Sequence, residues 1–399
     1  MRIELDPARQ KLIDRVAELT REKIAPRAAE HDRHGRNPVE SWRDLWREGF
    51  LAGTVPLAHG GLGLDMPTYA GVIRTVAQGC ASTAMTLHMH STVMRFIDAL
   101  GTEEQKRRYF PEVVERGRLF GSWGSEPAVS LSRTLQMETV ARAGADGAFV
   151  VEGVKHFCTM TNGASHYMTW CALDGSSDMS RSLVLILVPA DAAGLATDER
   201  WDTMGMRATF SPSVTFTAVR CAPGTCLGAP GAALRAGVIE GFALGYAAVY
   251  LGIAEGALAF VLDYAKQRVV RPENIAVAQD PVVQTHIGDL QVRLDAAALV
   301  LADSAARWAE ADVPQRGVLA NRAKWVAAEA GLYVTSKAMQ VVGGRATYRE
   351  LPVERAFRDL RTATLMPPTP DRMLQGIGQM ALGIQGGMFK VAGETPPSR

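Results

Sequence analysis

The sequence predicts a multi-domain α+β chain in three parts: a helical segment over 1–118, an antiparallel β-barrel or sandwich over 119–228, and a C-terminal four-helix bundle over 229–399. Three observations lead there. Before residue 118 and after 231, apolar residues recur every three or four positions, the period of a helix with one buried face. Between them, seven short runs rich in β-branched and aromatic residues are separated by Gly, Asp, Ser and Pro. The long C-terminal periodic stretch stops at Gly343-Gly344, where positive φ carries no steric cost.

In chain order, 6–30 reads as a helix with Asp6 as N-cap, Pro7 at N1, and Leu12, Val16 and Leu19 on one face. A second helix over 39–48 carries Trp42, Leu45 and Trp46. The glycine-rich loop Pro56-x-x-His59-Gly60-Gly61-Leu62-Gly63 is a weak phosphate cradle, because it has neither a Walker pattern nor a preceding strand. Helices follow over 67–99 and 103–117, the second capped by Thr102 with Gln105 three residues on. His88 and His90, two apart, point to different sides of their helix and cannot chelate one metal; the reading is one packed and one exposed.

The β runs are 120–125, 138–143, 149–152, 156–159, 167–172, 183–188 and 214–219, with Asp146-Gly147 and Asp174-Gly175 as turn signals. From Gly231, helical periodicity returns. Phe242, Tyr246, Val249, Ile253, Ala257, Val261 and Tyr264 form one stripe of a helix ending near Arg268. Helices over 281–310, 316–342 and 371–389 complete the bundle, and the tail from 392 reads as frayed. Between 349 and 361 lies a charged connector, followed by Pro367-Pro368.

Composition narrows the function classes. With 43 basic and 42 acidic residues and no basic block, the footprint of a nucleic-acid binder is missing. Cys80, Cys158, Cys171, Cys221 and Cys226 are odd in number and form no Cys-x-x-Cys pair, which argues against a disulfide framework or a zinc site. The first ten residues have no apolar signal core, and no run of about 18 apolar residues suggests a membrane span. The expected location is cytoplasmic, with no metal.

Gln340-x-x-Gly343-Gly344 followed by Pro352-x-Glu354-Arg355-x-x-Arg358-Asp359 resembles the C-terminal signature of the acyl-CoA dehydrogenase superfamily. The resemblance covers nearly the whole chain. Trp123-Gly124-Ser125-Glu126-Pro127 stands where relatives carry a Thr-Glu-Pro flavin-binding strand, with Ser125 at the hydroxyl position. Gly153-x-Lys155-x-Phe157-Cys158-Thr159 is similar to Gly-x-Lys-x-Trp-Ile-Thr, implying that Phe157 covers one flavin face and Thr159 donates toward N5. Met204-Gly205-Met206-Arg207-Ala208-Thr209 is similar to a Leu-Gly-x-Arg-x-Ser turn. Ala128-Val129-Ser130-Leu131-Ser132 replaces the small-residue segment that usually follows Glu-Pro. Arg268, Gln340, Gly343 and Gly344 would meet the pyrophosphate and ADP half of FAD across a subunit interface, and Thr369 closes the set. The resemblance therefore implies FAD and a homodimer or homotetramer.

It also implies a reaction: α,β-oxidation of an acyl thioester, with hydride passing to flavin N5 while a carboxylate takes the α-proton. Where the usual Tyr-Glu-Gly-Thr would supply that carboxylate, this chain reads Met366-Pro367-Pro368-Thr369. Relatives that carry the base on the first bundle helix align it with Phe242. The nearest carboxylates are Glu240, about 200° round the helix from Phe242, and Asp371; groups of this kind are more often caps or surface charges. Three readings stand: an acyl-thioester oxidoreductase with a relocated base, a reduced-flavin-dependent monooxygenase that needs no such base, and a flavin-holding scaffold without turnover. A histidine at 88 or 90 facing the flavin would suit the second.

Overall fold

A computed structural model describes residues 7–129, 136–176, 178–272 and 274–384. The predicted cap Asp6, the 130–132 part of the segment after Glu-Pro, and the tail from 392 lie outside them. The first helix is two, α1 (Pro7–Leu19) and α2 (Ala25–His34), joined by a π turn over Thr20–Ile24. Pro26 has no N–H to continue the ladder, and just before it Ala25 N–H reaches back to Thr20 O. α3 (Val39–Arg47) leads through the glycine-rich loop to α4 (Met66–Gly79), where Asp65 accepts from Thr68 N–H. α5 (Ala81–Leu100) is buried along most of its length, and α6 (Glu103–Val114) starts with the predicted Thr102–Gln105 box, both of its hydrogen bonds present.

The middle segment is a seven-stranded sheet: β1 (Phe120–Trp123), β2 (Val140–Ala143), β3 (Phe149–Lys155), β4 (His166–Leu173), β5 (Leu183–Pro189), β6 (Leu195–Thr197) and β7 (Val214–Cys221), with the one-turn α7 (Met179–Ser182) before β5. β4 and β5 are buried on both faces, as their near-continuous apolar runs require. The sheet is mixed rather than wholly antiparallel. β1 and β2 both lie parallel to β4, on successive stretches of its length, Phe120–Trp123 opposite His166–Thr169 and Val140–Ala141 opposite Ala172–Leu173. The chain leaves the sheet after Trp123 and rejoins β4 at Val140. The excursion between them carries Ser125, Glu126 and Pro127.

The helical C-terminal part comprises α8 (Ala232–Arg235), α9 (Glu240–Gln267), a small hairpin of β8 (Val269–Val270) and β9 (Ile275–Ala276), α10 (Pro281–Ala306), α11 (Val313–Val342), α12 (Pro352–Ala363) and α13 (Pro370–Ala381). α9 and α11 are the packed centre and run parallel: Gly317 lies beside Glu240, Lys324 beside Tyr246 and Tyr250, and Val342 O accepts from the Tyr264 hydroxyl. Contrary to the sequence reading, α9 is long and apolar enough to cross a membrane by length and composition, but 78% of its most apolar window is buried inside the protein. The charged connector is also a correction, since most of it folds as α12. Its polar residues look solvated in one dimension, yet Glu354 and Asp359 are buried with Val353, Leu360 and Ala363.

Candidate active site

Two segments that are distant in sequence are tied together by one buried ion pair. Lys155 Nζ, at the end of β3, lies 2.6 Å from Glu126 Oε1, and the two side chains are 0% and 2% exposed. Glu126 also accepts from the Glu138 and Thr139 N–H groups, and His156 N–H donates to Ser125 O at 2.9 Å. Burial works against the Glu126 charge, but Lys155 and these donors hold its pKa below the ordinary value. The sequence reading quoted both residues without seeing that they pair.

Residues 156–159, expected as a strand, form instead a strained turn after β3. Phe157, Met160 and Asn162 all have positive φ (55°, 64° and 59°). Non-glycine residues in that region cost about 1–3 kcal/mol each and persist only where the surroundings hold them. Here Cys158 N–H donates to Pro212 O, and Met160 N–H to Thr209 O. The turn leaves Phe157 56% exposed while Thr159 is buried. Ser211 Oγ donates to Thr159 Oγ1 at 3.1 Å, and the Thr159 hydroxyl proton has no acceptor among the described residues. Trp123 plays a different part from Ser125: its ring is buried and stacked on Tyr167 at 3.6 Å, and its indole N–H donates to Thr159 O. Ser125 is exposed.

From Trp123 a file of aromatic contacts crosses into the helices. Gly124 sits against the Trp170 ring, whose indole N–H donates to Ser122 Oγ. Trp170 packs on Phe96 and Phe242, and Phe242 on His88. His88 meets Tyr246 edge-on at 5.0 Å. A side chain at Gly245 would collide with the His88 imidazole, so that glycine is what lets α5 and α9 close on each other. His88 Nε2 lies 3.1 Å from Phe242 O, an obligatory acceptor, so the ring donates there and accepts the Tyr69 hydroxyl at Nδ1 (2.6 Å). Arg95 lies over the Tyr69 ring at 4.1 Å.

His90 is also buried, against expectation: it donates to Leu51 O and accepts from Phe120 N–H. Two positions along α5 turn His88 toward α9 and His90 toward β1, and in this structure both directions are interior. Burial lowers the pKa of His88 to about 3 and of His90 to about 4. The unfolded chain thus binds protons that the native one refuses. The histidine contribution to stability is present above the ordinary histidine pKa and is lost as pH falls toward about 4. Thermal melts should show a steep loss over that range, shallower in His90→Phe.

The turn at Pro367 is held from beneath. Lys324 is fully buried on α11, and its Nζ donates to Met366 O (2.7 Å) and Pro368 O (2.9 Å), under the Tyr246 ring at 4.9 Å. Burial lowers its pKa well below the ordinary value. Sequence reasoning missed it, although a lysine among Ala320, Ala323, Ala327 and Ala328 on an apolar face was a signal. Pro367 is exposed, and Thr369 is the exposed N-cap of α13, its side chain making no cap bond. Asp371 is exposed in the first turn of α13. Glu240 is not a surface group. It is 6% exposed, its Oε2 has no partner, burial raises its pKa, and it faces α11 rather than the Phe242 side.

The remaining candidates lie elsewhere. Arg268 is exposed at the C-terminal end of α9; Gln340, accepting from Lys337 Nζ, and Gly343-Gly344 are exposed at the C-terminal end of α11. Among the described residues, chain neighbours aside, nothing crowds the place where a Cβ would stand on either glycine. Parallel packing brings these two ends together. Along α9 they stand about 40 Å from Phe242, at 1.5 Å per residue.

Family models for the acyl-CoA dehydrogenase N-terminal, middle and C-terminal domains match residues 6–116, 121–219 and 244–366. The chain belongs to the acyl-CoA dehydrogenase family. Membership makes it a flavoprotein oxidoreductase with the helical–β–helical fold described above. It is 30% identical over 377 residues to a dibenzothiophene monooxygenase of Mycolicibacterium goodii, covering 89% of this chain and 90% of that one. It is 28% identical over 372 residues to the short-chain specific acyl-CoA dehydrogenase of Bos taurus mitochondria, covering 92% and 89%. Among solved structures, TdsC from Paenibacillus sp. A11-2 with FMN and indole superposes with a TM-score of 0.86 at 27% identity, covering 96% of this chain and all of that one. Relatives named for either chemistry thus cover between 89% and 96% of this chain.

Proposed function

We propose that this protein is a reduced-flavin-dependent monooxygenase acting on a small planar aromatic substrate. The observation that carries this reading is the pair of positions where the family places its base. One is Pro367 and the other is Phe242, and neither side chain can take a proton. The likeness to dibenzothiophene monooxygenases points the same way. Bound reduced flavin supplies two electrons that, with two protons, divide dioxygen between the substrate and water.

The protein's part is to hold and to exclude. Phe157, exposed on its strained turn, would cover one face of the ring, and Thr159 would offer its free hydroxyl proton. Ser125 and the Trp123 backbone would border the same ring. Trp170, Phe96, Phe242 and Tyr246 make a dry wall. His88 is kept neutral, its Nε2 proton committed to Phe242 O and its Nδ1 to Tyr69. Arg268, Gln340, Gly343 and Gly344 are too distant to serve the same ring. They suit the nucleotide end of FAD held by a neighbouring subunit, so we assign FAD and a homodimer or homotetramer.

The second reading, acyl-thioester oxidation, keeps one supporting observation: Glu240 is buried, its Oε2 has no hydrogen-bond partner and burial raises its pKa, as for a relocated base. One pair of experiments separates the readings. Anaerobic addition of butyryl-CoA to the oxidised holoprotein should leave the flavin spectrum unchanged. With reduced flavin, labelled dioxygen and indole, label should enter the product. Bleaching by the thioester would overturn the proposal in favour of dehydrogenation, and neither response would leave a flavin-binding scaffold.

A further inference from the structure

Among the described residues of the C-terminal helices, two of the buried oxygens without a hydrogen-bond partner border α11. Glu240 Oε2, at the start of α9, and Asn321 Oδ1, on α11, belong to side chains of residues only 6% and 7% exposed, and neither has a partner. Both border one face of α11. Gly317, Asn321 and Lys324 stand at i, i+4 and i+7 on one face of α11. Glu240 Cγ is 4.0 Å from where a Cβ on Gly317 would be, and among the described residues, α11's own backbone and the chain neighbours aside, nothing comes nearer. Across the crevice, Asn321 Nδ2 is 3.5 Å from the Cβ position of Gly376 on α13, again the nearest group among the described residues outside that helix. Glycine at 317 and at 376 therefore leaves room beside both polar groups, and both glycines are partly exposed.

The adjacent cations are engaged elsewhere. Arg316 donates to Trp308 O and Gly237 O, and Lys324 donates to Met366 O and Pro368 O. What remains open is a pair of acceptors. Buried acceptors left unfilled are costly, and each one kept in a native interior calls for a use. The same face of α11 continues through Lys324, which donates to the turn bearing Pro367, the position where the family places its base.

We propose that this crevice is a substrate subsite for a hydrogen-bond-donating group, an amine or a hydroxyl, received by Glu240 and Asn321. The proposal rests on the monooxygenase reading only in taking the ligand to be that reaction's substrate. Carboxylates, which bring acceptors alone, are disfavoured there.

The test is equilibrium dialysis of the flavin-loaded protein against four matched probes: benzylamine, benzyl alcohol, benzoate and toluene. Benzylamine or benzyl alcohol should bind about tenfold more tightly than toluene and benzoate. Glu240→Gln with Asn321→Leu should erase that preference while leaving toluene binding unchanged. Gly317→Val, which fills the crevice from a helical position, should do the same if the double variant fails to fold. Equal binding of toluene and the donor probes, or preference for benzoate, would overturn the proposal, as would a donor preference that survives Gly317→Val. Binding is read without turnover. Donor preference with no oxygen transfer would therefore sink the reaction and spare the subsite, and oxygen transfer without donor preference would do the reverse.

Discussion

Lys155→Met is expected to cost about 3–5 kcal/mol of folding stability and to release flavin from the purified protein. The magnitude follows from what is left behind: Glu126 would remain a buried carboxylate with its counter-charge gone, the most expensive way to break such a pair. A surface salt bridge would be worth under about 1 kcal/mol; the 0% and 2% exposure of this one places it in the other class. Flavin release is expected because the pair joins the Ser125 excursion to the Phe157 turn, and the turn's positive-φ backbone stands only while its surroundings hold it. Adding Glu126→Gln removes the stranded charge and should recover a large part of the stability, but not the flavin. Urea midpoints and flavin absorbance per mole of protein read the two effects separately. A single variant of wild-type stability would show that the pair is solvated in solution.

Arg358→Met should destabilise by a similar amount, about 3–5 kcal/mol, through a joint that no single stretch of sequence displays. The guanidinium donates to both Asp32 oxygens (3.2 and 2.7 Å), both Glu354 oxygens (2.6 and 2.9 Å) and Met204 O (2.8 Å). It thereby fastens α2, the turn before Met206 and α12 together. Removing it leaves two carboxylates, 13% and 11% exposed, beside buried Asp359, whose pKa burial already raises to about 7. Arg358→Lys should recover only part, since one ammonium cannot bind two carboxylates bidentately. Hydrogen exchange should locate the loosening in α2, residues 204–206 and α12 together. Exchange confined to α12 would mean the arginine supports its own helix and little else.

Much of this fold was legible because its signals are local. The Thr102–Gln105 box works across three residues and formed as read. The α9 stripe depends only on helical period, and most of the β runs lie at the strands they foretold. The failures share one cause. Glu354, Arg358 and Asp359 read as a charged connector because their partners, Asp32 and the Met206 N–H, lie 326 and 153 residues away. His88 and His90 were split into one packed and one exposed because the period gives a direction but not what waits there. Residues 156–159 have strand composition, and the turn is imposed by backbone contacts to 209 and 212. Helical spacing turns Glu240 away from Phe242 correctly, but it cannot say that the far side is an interface with α11.

What the sequence alone determined, then, is the order of helix and strand, the caps, the family signature and the missing carboxylate at 367, since all of these are properties of residue type and spacing along one strand of chain. What only the tertiary structure decided is which polar groups are buried and with whom: Lys155 with Glu126, Arg358 with Asp32, Lys324 with two carbonyls, and one oxygen each of Glu240 and Asn321 with no hydrogen-bond partner. A charge's cost depends on the dielectric and the donors around it, and those are set by segments that meet only when the chain closes.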